Sequence, residues 1–234
     1  MIENDLAMRL SSESVSSTPL YLNHIATYDW LIALRFGWVD DGQPERNWRE
    51  VNASFGYLLD SPDGVAVGFK VLDFSEFDPD DPEVEPIWSE PRFEVPTLGL
   101  QAASAGEIVL ATRALFGEHS TINREFFDRA VELKGEEALA HWLACLQAGD
   151  SMAHFALGYT LLELGRLQEA YRHLRYYTEI APTGAWNWCW FGKAAAEIGE
   201  RDEAARAFRT AITLERGGVD ETDAPELLAA LGAG

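Results

Sequence analysis

Positive charge and cysteine are what this sequence has least of. In 234 residues, 18 Lys and Arg side chains stand against 39 Asp and Glu side chains, so the formal net charge is −21 at pH 7. Such a charge repels a phosphate backbone at long range, so we expect no nucleic-acid binding. A basic protein partner is compatible with it, and so is the simpler role of acidity in keeping a protein soluble.

Cysteine occurs only at Cys145 and Cys189. Their spacing fits neither a zinc site nor a disulfide framework, so we expect two reduced thiols in a cytoplasmic protein. No apolar run reaches the length of about 20 residues that crosses a bilayer. The first ten residues, MIENDLAMRL, lack the pattern of a secretory signal or of an Arg-rich transit peptide. We therefore expect neither a leader nor membrane binding.

What the sequence does contain is a repeat in its second half. Three pairs of landmarks are displaced by the same 34 residues: Leu157-Gly158 and Phe191-Gly192, Gly165 and Gly199, Glu169-Ala170 and Glu203-Ala204. A period of this length is typical of solenoids built from stacked helix pairs. The sequence therefore predicts clear repeats at 151–182 and 185–216 and a degenerate copy at about 121–149.

Further residues at fixed places accompany these landmarks. They are Trp188, Ala204, Phe208 and Ala211 in the second unit, and Ala170, Leu174 and Pro182 in the first. In these positions the stretch resembles the tetratricopeptide repeat family, whose unit is a pair of antiparallel helices. Three residues depart from the family pattern, because His154 replaces a Trp, Tyr177 an Ala and Arg216 a Pro. The resemblance implies a scaffold that binds a protein or peptide and carries no chemistry of its own.

The resemblance also implies which residues would line a partner-binding groove on the first helix of each pair. They are Met152, Phe155, Tyr159, Leu162, Trp186, Cys189 and Lys193. Trp190 shares a helix face with Trp186, four residues earlier. The set is mostly apolar, so it fits a groove for an apolar peptide or a core covered by the β-sheet, and the sequence does not decide between them.

Small residues and capping residues support the same helix pairs. We expect Gly158 to lie against Ala170 where the two helices cross, with the equivalent pair 34 residues later, because a bulky side chain would separate the axes. Gly165 and its equivalent would end helices in the left-handed conformation. Four further positions predict helix starts, the third of them a capping box with Glu107: Asp150, Thr183, Ser104 and Asp223. About eight helices are expected between Ser104 and the end.

Residues 21–72 have the texture of a small antiparallel β-domain. YDWLIALRFGWV and GVAVGFKVLDF are rich in β-branched and aromatic residues, and SPDG is a turn signal. We expect three strands with one polar face. The predicted class is therefore α+β, a small N-terminal antiparallel β-sheet followed by a C-terminal all-α tetratricopeptide-like helical-repeat solenoid at 104–234. The stretch VGFKVLDFSEFD also resembles a short signature of small bacterial domains of unknown function.

Two segments are predicted to lack helix and strand, a Ser-rich tail at 1–20 and an acidic, Pro-rich connector at 73–103. The connector contains four acidic residues that invite a calcium hypothesis: Asp78, Asp80, Asp81 and Glu83. Pro79 and Pro82 break the ligand pattern of an EF-hand loop. We therefore expect a solvated acidic loop and no metal.

No motif in the sequence predicts catalysis or a cofactor. His141 and Cys145 share a helix face, but two ligands do not make a zinc site. The favoured function is a non-enzymatic protein–protein interaction or scaffold role, with a partner that is basic or has an apolar segment. Two alternatives stay open. One is a small-ligand or enzymatic site between the β-domain and the helices, near Asp73, Glu76 and His141. The other is a regulatory, antitoxin-like acidic protein that binds a basic partner.

Overall fold

The computed structural model describes residues 19–36, 47–61, 64–78, 91–117, 119–215 and 221–232. Contacts divide the described residues into two compact units, the first ending at Leu115 and the second beginning at Phe116. Most of the predicted tail, at 1–18, and the centre of the predicted connector, at 79–90, lie outside the described residues.

The first unit is built on a five-stranded antiparallel sheet. Its strands are β1 (Leu20–Ile25), β2 (Trp30–Arg35), β3 (Trp48–Asn52), β4 (Phe55–Leu59) and β5 (Ala66–Val71). Their order across the sheet is β1-β2-β5-β4-β3, so β5 pairs with both β2 and β4. The predicted N-terminal antiparallel sheet is confirmed, but it has five strands rather than three.

The two outer strands are the ones that the sequence pattern does not predict. Polar residues interrupt the apolar ones in LYLNHI of β1 and WREVN of β3, so neither shows a clean alternation. A tight turn holds β3 against β4, because the Asn52 side-chain oxygen accepts a hydrogen bond from the Ser54 amide at 2.9 Å. This local Asx turn is what brings an otherwise polar segment into the sheet.

One face of the sheet forms the aromatic core of the first unit. Phe55, Tyr57 and Phe69 lie on this face and are buried. The ring centroid of Phe93 lies 5.9 Å from that of Phe69 and 6.5 Å from that of Tyr57. These distances are those of favourable aromatic pairs, so Phe93 anchors its own segment on the sheet.

The expectation that the second face of the sheet is polar is wrong. This face carries Trp30, Ile32 and Leu34 of β2, and the two aliphatic residues are buried. Lys70, opposite Ile32 on β5, places its ammonium 3.2 Å from the centroid of the Trp30 ring. Cation–π attraction holds an ammonium there, so even the charged residue of this face packs against an aromatic one.

The end of the predicted connector is a β-hairpin, which corrects the 73–103 assignment. β6 (Arg92–Val95) pairs with β7 (Leu100–Ser104), and a 3-10 turn at Pro96–Leu98 joins them. Proline cannot donate a ladder hydrogen bond, which is why the sequence argues against a strand here. Pro91 and Pro96, however, flank β6 and leave its interior free to pair.

Helix α1 (Ala105–Phe116) follows β7 directly and lies almost wholly in the first unit, not in the predicted repeat domain. The predicted capping box is confirmed. The Ser104 hydroxyl accepts from the Glu107 amide at 3.2 Å, and the Glu107 carboxylate accepts from the Ser104 amide at 2.7 Å. Arg113 donates to the carbonyl oxygens of Ser75, at 3.2 Å, and Phe77. These bonds tie α1 to the segment after β5.

The described part of the second unit consists of seven helices. They are α2 (Arg124–Ala130), α3 (Gly135–Gln147), α4 (Ala153–Glu163), α5 (Leu167–Ile180), α6 (Ala185–Glu197), α7 (Arg201–Glu215) and α8 (Ala224–Gly232). A sheet followed by helices confirms the α+β class, and the pairing of α4 with α5 and of α6 with α7 is consistent with repeats. No helix in the described ranges is long and apolar enough to cross a membrane.

The two helix pairs make the same close contact 34 residues apart. A Cβ on Gly158 would lie 2.3 Å from Leu174 Cγ, and a Cβ on Gly192 would lie 2.5 Å from Phe208 Cε1. The predicted need for glycine at the crossing is therefore confirmed. The side chain that occupies the space is the large one at 174 or 208, however, and not the alanine one turn earlier.

Turns and caps follow the predictions with one exception. Gly165 and Gly199 have φ angles of 72° and 87°, so both are left-handed as expected. Asp150 caps the approach to α4, because its carboxylate accepts from the Met152 amide at 3.0 Å and from the Thr121 amide at 2.5 Å. The second contact also joins α4 to the chain before α2.

Thr183 is the exception, because it forms no capping bond. Gly184 precedes α6, and no side chain there caps the helix. Two side chains inside α6 turn back to the preceding loop instead. Asn187 Nδ2 donates to the Ala181 carbonyl and Trp188 Nε1 to the Pro182 carbonyl, both at 2.7 Å. These bonds hold the loop against the helix without a capping hydroxyl.

Candidate partner-binding surface

Two of the seven predicted groove residues are core residues, which corrects their assignment. Met152 is 7% exposed, and the Tyr177 hydroxyl donates to its sulfur at 3.5 Å. Cys189 is fully buried in a cluster with Phe208 and Ala224, and burial raises the pKa of its thiol. Neither side chain offers a surface to a partner.

Two further predicted groove residues, Trp186 and Lys193, lie beside the last helix. Trp186 and three leucines of α8 pack against the same buried cluster, which contains Cys189. The Lys193 ammonium pairs with the Asp223 carboxylate at 2.8 Å and lies 4.3 Å from the centroid of the Trp190 ring. This end of the predicted groove is therefore covered by the chain's own C-terminal helix.

The other three predicted residues are half-buried on α4, and a fourth side chain that was not in the predicted set joins them. These four residues, Phe155, Tyr159, Leu162 and Trp190, are called the aromatic band below. Ring centroids are 6.1 Å apart for Phe155 and Tyr159, and 6.0 Å apart for Tyr159 and Trp190. The band thus runs from α4 to α6, the first helices of two consecutive pairs.

Buried residues hold the band in place from below. The centroid of Phe155 lies 5.4 Å from that of Tyr177, which is buried. Leu162 and Trp190 pack against a cluster that contains Leu174 and parts of α6 and α7. Burial and the charge of Glu163 raise the pKa of Tyr159, so its hydroxyl stays neutral and can donate a hydrogen bond.

Trp190 is the residue that the family register omits, although the sequence contained a signal for it. Its spacing of four from Trp186 places both on one helix face. The structure separates their roles, because Trp186 packs with the cluster under α8 and Trp190 faces Tyr159 on α4. Spacing along one helix could not distinguish these neighbours.

A pair of histidines replaces the Trp of the family pattern. The Nδ1 atoms of His154 on α4 and His173 on α5 are 2.8 Å apart, and the ring of Tyr176 lies 4.6 Å from that of His154. Burial, together with the charge of His173, lowers the pKa of His154 to about 4, and burial also lowers the pKa of His173. Both rings are therefore neutral at pH 7, and one Nδ1–H donates to the other Nδ1.

His141 and Cys145 do come together, with 3.7 Å between Nε2 and Sγ. Burial and the charge of Asp150 raise the pKa of the Cys145 thiol to about 11. A thiol with such a pKa is protonated at neutral pH and is a weak nucleophile and a weak metal ligand. The other residues of the enzymatic hypothesis, Asp73 and Glu76, are exposed and belong to the first unit.

The first unit contains a buried polar cluster that the sequence does not reveal. The Asp29 carboxylate accepts from the Ser75 amide at 2.9 Å and from its hydroxyl at 2.5 Å, and it lies 3.6 Å from His24 Nε2. Burial opposes ionisation of Asp29, but the hydrogen bonds from His24 and Ser75 outweigh it and lower its pKa. The serine donates to the carboxylate and not to the histidine, so it is not activated as a nucleophile. The cluster ties the β1–β2 turn to the segment after β5.

Metal ligands do not converge within the part of the chain that the structure describes. No group of three or more His, Cys, Asp or Glu side chains there could hold an ion. Of the acidic residues that suggested calcium, Asp78 is described, and residues 80, 81 and 83 lie outside the described residues.

Comparison of the sequence with models of protein families finds no match, and comparison with curated proteins finds none either. The resemblance to the tetratricopeptide pattern therefore stays a prediction. The paired helices and their repeated glycine contacts are properties of the structure and do not depend on that resemblance.

Proposed function

We propose that the second unit is a protein-interaction module that holds an apolar peptide segment of a partner protein on the aromatic band. The observation that carries the proposal is the arrangement of large, half-exposed side chains on α4 and α6, spaced about 6 Å ring to ring between Tyr159 and Trp190. Half-exposed aromatic residues at the centre of a surface are typical of binding hot spots.

The band is suited to binding because it is rigid before a partner arrives. Phe155 rests on the buried Tyr177, and Trp190 is flanked by Lys193. Side chains that are already ordered lose little conformational entropy on binding, which favours affinity. A tetratricopeptide-like scaffold needs nothing further, so we propose neither a cofactor nor a reaction.

The partner that we propose has basic residues beside its apolar anchors. The chain carries a net charge of −21, which attracts a basic segment and speeds its encounter with the surface. The two cysteines are buried free thiols, which fits the reducing cytoplasm that the sequence predicts.

The test begins with peptides selected from a random display library on the full-length protein. We expect the enriched peptides to share apolar anchors with basic flanks. Fluorescence anisotropy of a labelled selected peptide should show losses of about 2 kcal/mol or more for Trp190→Ala and Phe155→Ala, the range of hot-spot truncations.

The matched control is Leu143→Ala, which shortens an exposed apolar side chain on α3. This variant should bind the peptide like the wild type, and circular dichroism should show that all variants are folded. Equal affinity of the wild type and of folded Trp190→Ala would exclude the band as the binding surface.

A further inference from the structure

Four arginines lie on exposed sides of α5 and α7, the second helices of the two pairs. They repeat with the same 34-residue period as the core landmarks: Arg172 and Arg175, followed by Arg206 and Arg209. Core positions repeat because packing requires them, but packing does not require arginine at an exposed position. The repetition therefore concerns the surface itself.

The structure brings the two pairs of arginines to one surface. The Tyr171 hydroxyl on α5 donates to the Glu203 carboxylate on α7 at 2.5 Å. Leu174 of α5 and Ala207 of α7 belong to one buried cluster. Since these residues face inward where the two helices meet, the arginines on the outward sides of the helices lie next to one another.

Most other cations of the described chain have partners. Arg92, Arg124 and Arg166 pair with carboxylates, as does Lys193. None of the four arginines on α5 and α7 forms such an ion pair among the described residues. Arg172 donates to its own helix, at the Gln168 carbonyl, and Arg175 lies near the Tyr171 hydroxyl. Their charge is therefore left for a ligand, within a chain whose net charge is strongly negative.

The identity of the four cations indicates what they would bind. All four are Arg, whose planar guanidinium donates two parallel hydrogen bonds to a carboxylate or a phosphate. Tyr176, which is 44% exposed, adds an aromatic ring one residue after Arg175. Two arginines one turn apart on each of two adjacent helices can hold several carboxylates of one short segment.

We propose that this arginine surface, made of Arg172, Arg175, Arg206 and Arg209, binds an acidic segment of a partner protein. A short peptide brings only a few negative charges, and the four guanidinium groups can match them locally. A nucleic acid brings a dense line of phosphates, which the net charge of −21 repels at long range. The surface uses other helices than the aromatic band, so it does not depend on the function proposed above.

The experiment measures binding of a fluorescein-labelled oligoglutamate peptide to the full-length protein by anisotropy. We expect binding that weakens as salt is added, because exposed charges are screened. Arg172→Gln combined with Arg206→Gln should weaken binding about tenfold or more, the effect of losing hydrogen bonds between charged groups. The corresponding double Lys variant keeps the charge but not the planar fork, so its affinity should be intermediate.

The matched control replaces two other exposed arginines, Arg124 and Arg129 on α2, with Gln, and this variant should bind like the wild type. The proposal is overturned if oligoglutamate does not bind, or if the variants on α5 and α7 bind as tightly as the control. Tighter binding of an oligothymidylate of equal charge would overturn the assignment to an acidic protein and would make the surface one for nucleic acid.

Discussion

Glycine has two separate functions in the helix pairs, and single-residue contacts distinguish them. Gly158 is needed for space, because a Cβ there would collide with Leu174. Gly165 is needed for its conformation, because its φ is 72° and nothing lies within 4 Å of an added Cβ. Both appear in the sequence as conserved steps of one period, yet a substitution should act through a neighbour at the first and through the backbone alone at the second.

Substituting these glycines should therefore give different couplings to Leu174. Gly158→Ala should cost about 1–3 kcal/mol by overpacking, and less in a Leu174→Ala background, where the space is free. Gly165→Ala should cost about 1–2 kcal/mol in either background, since the strain is in the backbone. Urea unfolding of the single and double variants measures both couplings. Strict additivity for Gly158 and Leu174 would contradict the role given to the contact.

Helices α4 and α5 are joined by a contact that titrates. The hydrogen bond between His154 and His173 links the two helices of one pair at 2.8 Å, and it requires at least one neutral ring. Glu169 and Arg172 lie near His173 and shift its pKa in opposite directions, whereas burial is the largest influence on both rings. The helix pair is therefore less stable in acid because of its own core.

The sign follows from the pKa of His154, which is about 4 in the folded chain against an ordinary value of 6.5. As pH falls, the unfolded chain takes up this proton first, so the stabilisation is complete above about pH 6.5 and is lost toward pH 4. The urea midpoint should fall between about pH 7.5 and about pH 5, and His154→Gln should reduce that fall. His119→Gln, which changes an exposed histidine, should leave it unchanged. An undiminished fall in His154→Gln would refute this account.

Across the whole second unit, stacked helix pairs share one continuous core, and such a stack leaves an apolar end unless something covers it. Here α8 covers the end, with its leucines packed on the cluster around Cys189 and Phe208. Asp223, just before α8, adds the ion pair to Lys193. The last helix therefore both closes the core and limits the length of the exposed aromatic band.

Loosening α8 should expose a thiol that is otherwise inaccessible. We expect Leu227→Asp combined with Leu228→Asp to increase the rate at which iodoacetamide alkylates Cys189, with little change at Cys145, as read by peptide mass spectrometry. Ala229→Asp places the same charge on an exposed position of α8 and should have no effect. Equal rates at Cys189 in both variants would show that α8 does not protect it.

Much of the second unit could be predicted, and less of the first. The 34-residue period predicts the helix pairs because each pair is made by residues close in sequence, such as Gly158 and Leu174. Strands β1 and β3 could not be predicted, because their place depends on partners and on the turn at Asn52 rather than on their own pattern. Proline positions excluded helix correctly after β5 but did not exclude β6.

The sequence by itself determined which residues share a helix face, since that depends only on helical periodicity. It therefore placed Phe155, Tyr159 and Leu162 correctly on one side of α4. Only the tertiary structure decided how much of each face is left open, because this depends on what packs beside it. Tyr177 buries the sulfur of Met152, and the cluster under α8 buries Cys189. The exposed part of the predicted groove is thus the part that no neighbouring element of the second unit reaches.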